Sequence, residues 1–216
     1  MFITFEGIEG SSKSTQAKLL SKWLRRKGVD NLLTKEPGTI LSKTCQQLRQ
    51  LILNPKSDIT ARAEFFLYLA DRAQHVEKYI MPALKEEKWV ISDRYADSTY
   101  VYQGWGRNKG LGIDSDEILD IMQHATLGLT PDITFIMDLP VEIGLERAKK
   151  SNTEFKGGDR MELEDIKFHE RLRSGFLQVA DMSPVRCKVL NAEKSVEELH
   201  KEIIEVVSLH MGKEDE

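Results

Sequence analysis

Residues 7–14 have the spacing of a phosphate-binding loop, which constrains what this chain can fold into more than any other segment. The loop reads Gly-Ile-Glu-Gly-Ser-Ser-Lys-Ser against the pattern G-x-x-x-x-G-K-[ST], with Ser12 in place of the second glycine. A short apolar run precedes the loop, and the residues from Gln16 to Leu24 have helical spacing. A strand, a glycine-rich loop and a helix in this order surround an anion with backbone N–H groups. The alternative is a glycine-containing turn that binds nothing.

The polar residues of this loop suit phosphate chemistry. Lys13 would reach the terminal phosphates of a nucleotide, and the hydroxyl of Ser14 would help to hold Mg²⁺. Glu9 is an acidic residue beside a polyanion, so we expect it to accept a hydrogen bond from a sugar hydroxyl. If the backbone at Ser12 is left-handed, its Cβ costs on the order of 1 kcal/mol or more. With Ser12 at this position, the loop would then fit less closely around the phosphates.

The composition indicates one globular domain over residues 1–216. Of the residues, 40% are apolar and 31% are charged, and the net charge of −4 argues against nucleic acid or a membrane surface as the main partner. No window approaches 18 apolar residues, so we expect a soluble, cytoplasmic protein. Cys45 and Cys187 lack C-x-x-C spacing, so we expect reduced, buried thiols.

Strand-like and helical segments alternate along the chain. The strand-like runs are 1–5, 31–34, 88–92, 132–138 and 187–190. The segments whose apolar residues have helical spacing include 16–24, 61–84 and 195–210. Such alternation predicts an α/β fold with a five-stranded parallel sheet and helices on both faces. Ligands of such sheets bind at the carboxyl ends of the strands, where the polar motifs fall.

Two polar pairs are candidates for this edge. Asp93 and Arg94 directly follow the third strand, where Asp93 can position Mg²⁺ and Arg94 can pair with a phosphate. An ion pair that merely closes the strand is the equal alternative. Tyr68 and Arg72 share one helix face, which would suit a stacked base beside a bound phosphate. A cation–π pair on the helix surface is the alternative.

A basic, glycine-containing segment at 149–160 interrupts the alternation. Taken alone, it is a solvated surface loop. Together with a phosphate loop, it indicates a mobile lid over about 149–161, because phosphoryl transfer needs water excluded and positive charge over the phosphates.

Five segments of the chain resemble, in the same order, the motifs of the thymidylate kinase family. This family belongs to the P-loop nucleoside-monophosphate kinases, and the resemblance is to its bacterial form. The five segments are 5–15, 34–39, 68–72, 93–95 and 159–162. The resemblance covers nearly the whole chain and implies a P-loop NTPase-type fold with a short lid. It also implies transfer of the ATP γ-phosphoryl group to dTMP, with Mg²⁺, giving dTDP and ADP. Family members form homodimers, mainly through helix packing.

The resemblance further implies a set of site residues. Those expected to bind ATP are Gly7, Glu9, Gly10, Ser11, Ser12, Lys13, Ser14, Thr15 and Arg147. Those expected to bind dTMP are Glu9, Glu36, Tyr68, Arg72, Arg94, Thr99, Tyr102 and Gln103. Glu9 would meet the 3′-hydroxyl, Tyr68 would stack on thymine, and Tyr102 would crowd the 2′ position. Ser14 and Asp93 would hold the metal. Lys13, Arg94 and Arg160 would be catalytic, with Arg160 as the transition-state finger.

Four departures from the family pattern qualify this assignment. Besides Ser12, they are Lys35 in place of arginine, a glycine missing after Pro37, and Tyr68 in place of phenylalanine. Lysine keeps the charge but loses bidentate geometry. The shortened turn leaves Arg49 without an assigned role. The five histidines show no ligand spacing, so we expect them at the surface or satisfied within helices.

Two other functions are compatible with these residues. One is a kinase for another nucleoside monophosphate. The other is a nucleotide-binding protein without turnover, whose phosphate loop Ser12 has disabled. The joint presence of Lys13, Asp93, Arg94 and Arg160 favours an active kinase.

Overall fold

Five parallel strands form one sheet, and the connections between them carry the helices. The computed structural model describes residues 1–107, 111–112, 114–151, 154–155 and 157–211. The strands are β1 Phe2–Glu6, β2 Asn31–Lys35, β3 Trp89–Asp93, β4 Ile133–Asp138 and β5 Cys187–Asn191. Their order across the sheet is β2-β3-β1-β4-β5, and every neighbouring pair is parallel. The predicted α/β sheet is confirmed.

The helices occupy the connections between successive strands. They are α1 Lys13–Arg26, α2 Lys43–Leu53, α3 Ala61–His75, α4 Met81–Lys85, α5 Ala96–Thr99, α6 Ser115–Thr126, α7 Val141–Ser151, α8 Ile166–Met182 and α9 Val196–Met211. Two segments have the wider π-helical hydrogen bonding, Val76–Ile80 and Tyr100–Gly106. The first continues α3 into α4, so the predicted helix at 61–84 is interrupted. Pro82, which has no N–H to donate, lies directly after that wide turn.

Helices cover both faces of the sheet, as predicted. Every residue of β1 is buried. Because side chains alternate along a strand, this burial requires cover on both sides. Phe2 and Ile80 belong to one buried apolar cluster, whereas Ile3 and Leu20 belong to another. The turn Val76–Ile80 and α4 therefore lie against one face, and α1 lies against the other.

The strand register brings three loops to the same edge. Phe5 lies beside Asp93 of β3 and beside Phe135 of β4. The phosphate loop after β1, the turn after β3 and the loop after β4 therefore start at one level. Polar side chains from distant parts of the sequence meet there.

Further predictions concern the cysteines, membrane segments and the lid. Cys45 and Cys187 are free and buried, as expected, and burial raises their thiol pKa values to about 12 and about 11.

Within the described ranges, no helix is long and apolar enough to cross a membrane. Residues 152, 153 and 156 of the predicted lid lie outside the described residues.

Candidate active site

The phosphate loop joins β1 to α1 and requires glycine at two positions. Gly7 has φ of 136° and Gly10 has φ of 71°. A Cβ at Gly7 would lie 2.6 Å from the carbonyl oxygen of Met137, and one at Gly10 would lie 2.1 Å from that of Gly144. Both distances are far below van der Waals contact, so neighbouring backbone holds the loop tightly.

Ser12 adopts the left-handed conformation that the missing glycine would have favoured. Its φ is 68° and its ψ is 11°, and its side chain caps no helical N–H group. The helix nevertheless starts at the next residue, with the N–H of Gln16 donating to the carbonyl of Ser12 at 3.0 Å. The loop therefore keeps its shape at the cost of local backbone strain.

Lys13 is buried and folds back across the loop. Its ammonium group donates to the carbonyl oxygen of Ile8 and, at 3.1 Å, to the hydroxyl of Ser11. Burial, and then the charge of Arg94, lower the pKa of Lys13 to about 7. A nearby phosphate would reverse this shift, because an anion stabilises the charged form.

Two oxygen-bearing side chains meet at the mouth of the loop. The hydroxyl of Ser14 donates to the carboxylate of Asp93, which joins the start of α1 to the end of β3. Thr15, one residue further along, is exposed, whereas Ser11 is buried and donates to the carbonyl of Ile8 at 2.8 Å. The pair of Ser14 and Asp93 has the donor chemistry that Mg²⁺ prefers.

Arg94 connects the phosphate loop to the helix that follows β3. Its guanidinium donates to the carbonyl of Gly7 and to the hydroxyl of Ser98, both at 2.9 Å. It also donates to the carboxylate of Glu9 at 3.1 Å and to the hydroxyl of Tyr102 at 2.9 Å. Four acceptors therefore fix the guanidinium beside the loop. The backbone of Arg94 is left-handed, with φ of 73°.

Buried Glu6 holds the turn that carries Arg94. Its carboxylate accepts from the backbone N–H of Tyr95 at 2.7 Å and from the hydroxyl of Ser98 at 2.5 Å. Burial, and then the charge of Asp97, raise the pKa of Glu6 to about 8.

Glu9 faces the cavity with one carboxylate oxygen unsatisfied. Its Oε1 accepts from Arg94 and from Tyr102, whereas Oε2 has no hydrogen-bond partner among the described residues. Burial opposes the charge, but His169 and then Arg94 outweigh it, so the pKa of Glu9 lies below its usual range. An ionised oxygen of this kind can accept a hydroxyl hydrogen bond from a ligand.

Arg72 is buried in a second arginine–carboxylate pair. It donates to Glu36 at 2.9 Å, to the hydroxyl of Thr99 at 2.8 Å and to the carbonyl of Tyr95 at 2.8 Å. The guanidinium lies 5.4 Å from the centre of the Tyr95 ring. Its cation–π partner is therefore Tyr95, not Tyr68 on its own helix.

One cavity of about 250 Å³ collects most of the predicted residues. Its lining includes Glu9, Gly10, Lys13, Ser14, Glu36, Tyr68, Arg72, Asp93, Arg94, Tyr102 and Gln103. Residues far apart in the sequence thus surround a single space that contains both carboxylate–arginine pairs. Their meeting follows from the shared edge of the parallel strands.

Other predicted residues lie outside the cavity lining. They are Gly7, Ser11, Ser12, Thr15, Thr99, Arg147 and Arg160. Arg147 donates to the carbonyl of Ala192 at 2.9 Å. Arg160 donates to the carbonyl of Ile52 at 3.0 Å and pairs with the carboxylate of Glu64. In this structure its guanidinium therefore lies against α3.

Several residues near the site were not predicted from the sequence. Glu64 and Arg49 received no role, although Glu64 lies one helical turn before Tyr68 and so shares its face. Arg49 lines the cavity and donates to Glu154 at 2.8 Å and to the carbonyl of Pro37 at 3.0 Å. A Cβ on Gly38 would lie 2.5 Å from Arg49.

The expectation for the histidines is wrong for His169. This side chain is buried, and both its ring nitrogens lack a hydrogen-bond partner within the described part of the chain. Its Nδ1 lies 3.6 Å from Oε2 of Glu9. His75 agrees with the expectation, since it is satisfied by Glu36 at 2.8 Å and by Thr34 at 2.7 Å.

A phosphate loop, buried arginines and a paired hydroxyl and carboxylate at the edge of this parallel sheet define a nucleotide-binding protein of the P-loop class. The sequence profile described as Thymidylate kinase matches residues 5–203. The chain belongs to the thymidylate kinase family.

Individual relatives agree with this assignment. The thymidylate kinases of Carboxydothermus hydrogenoformans and Halothermothrix orenii are each 46% identical to this chain, over 203 and 204 residues, with 94% of each chain covered. The crystal structure of thymidylate kinase from Ehrlichia chaffeensis superposes with a TM-score of 0.75 at 34% identity. That match covers 96% of this chain and 98% of the other.

The strain at Ser12 leads to a stability prediction. Ser12→Gly should raise the free energy of unfolding by about 0.5–1 kcal/mol, because glycine adopts φ near 68° without a Cβ penalty. Urea denaturation measures this change, and titration with ATP measures its effect on the loop.

Glu87→Gly is the matched control, because Glu87 is exposed and also left-handed, with φ of 60°. Both variants should gain stability, but only Ser12→Gly should change ATP affinity. A lower stability of Ser12→Gly would contradict the strain at this position.

Proposed function

We propose that this chain transfers the γ-phosphoryl group of ATP to dTMP, giving dTDP and ADP. The observation that carries the proposal is the position of Arg94, whose guanidinium contacts the phosphate loop at Gly7 and the opposite wall at Ser98 and Tyr102. One fixed cation between two binding regions suits a phosphoryl group that passes from donor to acceptor. Membership of the thymidylate kinase family supports dTMP as the acceptor.

On the donor side, the phosphate loop binds ATP. Backbone N–H groups of Gly7, Gly10, Ser11, Ser12 and Thr15 surround the phosphates, with the exposed hydroxyl of Thr15 beside them, and Glu9 lies in the same loop. Lys13 leaves the carbonyl of Ile8 for the terminal phosphates. Arg147 binds ATP beside Gly10, since its Cβ lies 3.0 Å from where a Cβ on Gly10 would be.

On the acceptor side, the cavity holds dTMP. Glu9 accepts the 3′-hydroxyl, which agrees with its unsatisfied Oε2. Tyr68 stacks on thymine, and Tyr102, fixed against Glu9 and Arg94, limits space at the 2′ position.

The remaining acceptor-side residues supply charge and hydrogen bonds. Arg72 and Arg94 provide positive charge for the dTMP phosphate, and Glu36 holds Arg72. Thr99 accepts a hydrogen bond from Arg72. Gln103 contacts the base.

The chemistry needs no nucleophilic side chain. An oxygen of the dTMP phosphate attacks the γ-phosphorus, the bond to the bridging oxygen breaks, and ADP leaves. The protein aligns these atoms and stabilises the developing charge through Lys13, Arg94 and Arg160.

Mg²⁺ fits the donor set at the loop mouth. Ser14 and Asp93, whose hydroxyl and carboxylate oxygens are in contact, would hold the ion, and phosphate and water oxygens would supply its other ligands. When bound, it would neutralise charge on the β- and γ-phosphates.

We also propose a cytoplasmic homodimer. Half-exposed apolar side chains at Leu51 and Phe66, on α2 and α3, are suitable for helix packing between copies. Sedimentation velocity measures the mass in solution.

A substrate panel tests the proposed reaction. ADP release should be fastest with dTMP when dTMP, dUMP, GMP and AMP are compared with ATP as donor. Preference for AMP or GMP would contradict dTMP as acceptor. Measurable ATP binding with almost no dTDP would instead indicate a nucleotide-binding protein without turnover.

The role of Arg160 predicts a specific kinetic change. Arg160→Ala should lower kcat about 100-fold or more, while KM for dTMP changes far less, because the finger acts in the transition state. Lys150→Ala is the control, since Lys150 is exposed in the same segment. Weaker dTMP binding with normal turnover at saturation would exclude the finger role.

The lowered pKa of Lys13 predicts proton uptake on nucleotide binding. With a pKa of about 7, Lys13 is mostly neutral at pH 8, and bound phosphate should restore its charge. Calorimetry of MgATP binding at pH 8, in buffers with different ionisation enthalpies, should show uptake of about one proton.

At pH 6, Lys13 already carries its proton, so the uptake should fall towards zero. A binding enthalpy that does not depend on the buffer at pH 8 would contradict the lowered pKa.

A further inference from the structure

Glu64 is a fully buried carboxylate to which the proposed mechanism gives no role. Its side chain lies on α3 with 0% exposure. It accepts from Nε2 of Gln103 at 2.7 Å, from Nε and Nη2 of Arg107 at 3.0 and 2.8 Å, and from Arg160. A buried charge is tolerated only when it is paired in this way.

The contact with Glu64 determines which end of the Gln103 amide is free. An ionised carboxylate only accepts hydrogen bonds, so the amide nitrogen of Gln103 must face Glu64. The amide oxygen, Oε1, is buried and has no hydrogen-bond partner in the described ranges, and Gln103 lines the substrate cavity. A buried acceptor without a partner is unfavourable until a ligand donates to it.

We propose that Glu64 is a positioning residue for base recognition. By holding the amide nitrogen of Gln103, it leaves the amide oxygen to accept the N3–H group of thymine or uracil. Cytosine has an acceptor at N3 and is rejected. This inference depends on the proposed function, because it requires a pyrimidine nucleotide in the cavity.

The alternative amide orientation is excluded by charge. Rotating the amide of Gln103 by 180° would present its nitrogen to cytosine but place its oxygen against the carboxylate of Glu64. Arg107 keeps that carboxylate in place through two parallel hydrogen bonds, and Glu164 holds Arg107 from the other side. Glu64 therefore acts on the base only through Gln103.

The test is the ratio of kcat/KM for dTMP to kcat/KM for dCMP. In Glu64→Gln, the new amide can donate to Oε1 of Gln103 and allow the rotated orientation. In the wild type, N3 of cytosine would face the amide oxygen of Gln103 with no hydrogen bond between the two acceptors. The variant removes this penalty, so the ratio should fall about tenfold or more. The ratio of dTMP to dUMP should stay unchanged, since both bases carry N3–H.

The ratio separates recognition from general damage. Loss of the contact between Glu64 and Arg160 would lower kcat for all three substrates together and leave the ratios unchanged. Glu164→Gln is the matched control, because it removes the other carboxylate from Arg107 without touching Gln103. In a Gln103→Leu background, Glu64→Gln should change the ratio no further.

Glu64→Met provides the same measurement if Glu64→Gln does not fold by circular dichroism, because it also removes the negative charge that excludes the rotated amide. The ratio should fall in this variant too. An unchanged ratio in the folded Glu64 variant, or an equal fall in Glu164→Gln, would overturn the inference.

If the wild-type chain does not phosphorylate dTMP, the proposed reaction fails. The inference is then tested by the dissociation constants of dTMP and dCMP for the same variants, measured by calorimetry. A wild-type preference for dTMP that is lost in the Glu64 variant supports it, and equal preference in both overturns it.

Discussion

The site depends on the pairing of buried arginines with carboxylates at the carboxyl edge of the sheet. Arg72 with Glu36, and Arg94 with Glu9, are each held at about 3 Å with little exposure. A buried guanidinium without a carboxylate would be strongly unfavourable, so the pairing allows positive charge to remain in the cavity before a ligand arrives. The cavity is therefore organised for anions in advance, as electrostatic catalysis requires.

This pairing also connects the fold to the proposed chemistry. The carboxylates belong to β1–α1 and to the end of β2, whereas the arginines belong to α3 and to the turn after β3. The pair of Arg94 with Glu9 therefore joins two different connections of the sheet, whereas the pair of Arg72 with Glu36 closes the long connection between β2 and β3. The phosphate loop and the proposed acceptor wall are held at a fixed separation, which phosphoryl transfer needs more than it needs a reactive side chain.

Much of the fold and part of the site could be predicted from the sequence. The alternation of segments was sufficient for the parallel sheet, and local motifs such as Lys13 and Ser14 indicated the phosphate loop. Residues such as Glu64 and His169 could not be found, because their partners Gln103 and Glu9 are distant in the chain. Neither periodicity nor a motif reports such contacts. The placement of Arg160 against α3 likewise depends on tertiary packing, and its catalytic role stays a prediction.

The central claim is that guanidinium geometry, and not charge alone, positions the transferred phosphate. Arg94→Lys tests it most directly, because lysine keeps the charge but cannot reach Gly7, Ser98, Glu9 and Tyr102 together. The measurement is kcat/KM for dTMP in the variant and the wild type. We expect a loss of about 100-fold or more. A value within about threefold of wild type would contradict it, since charge alone would then suffice.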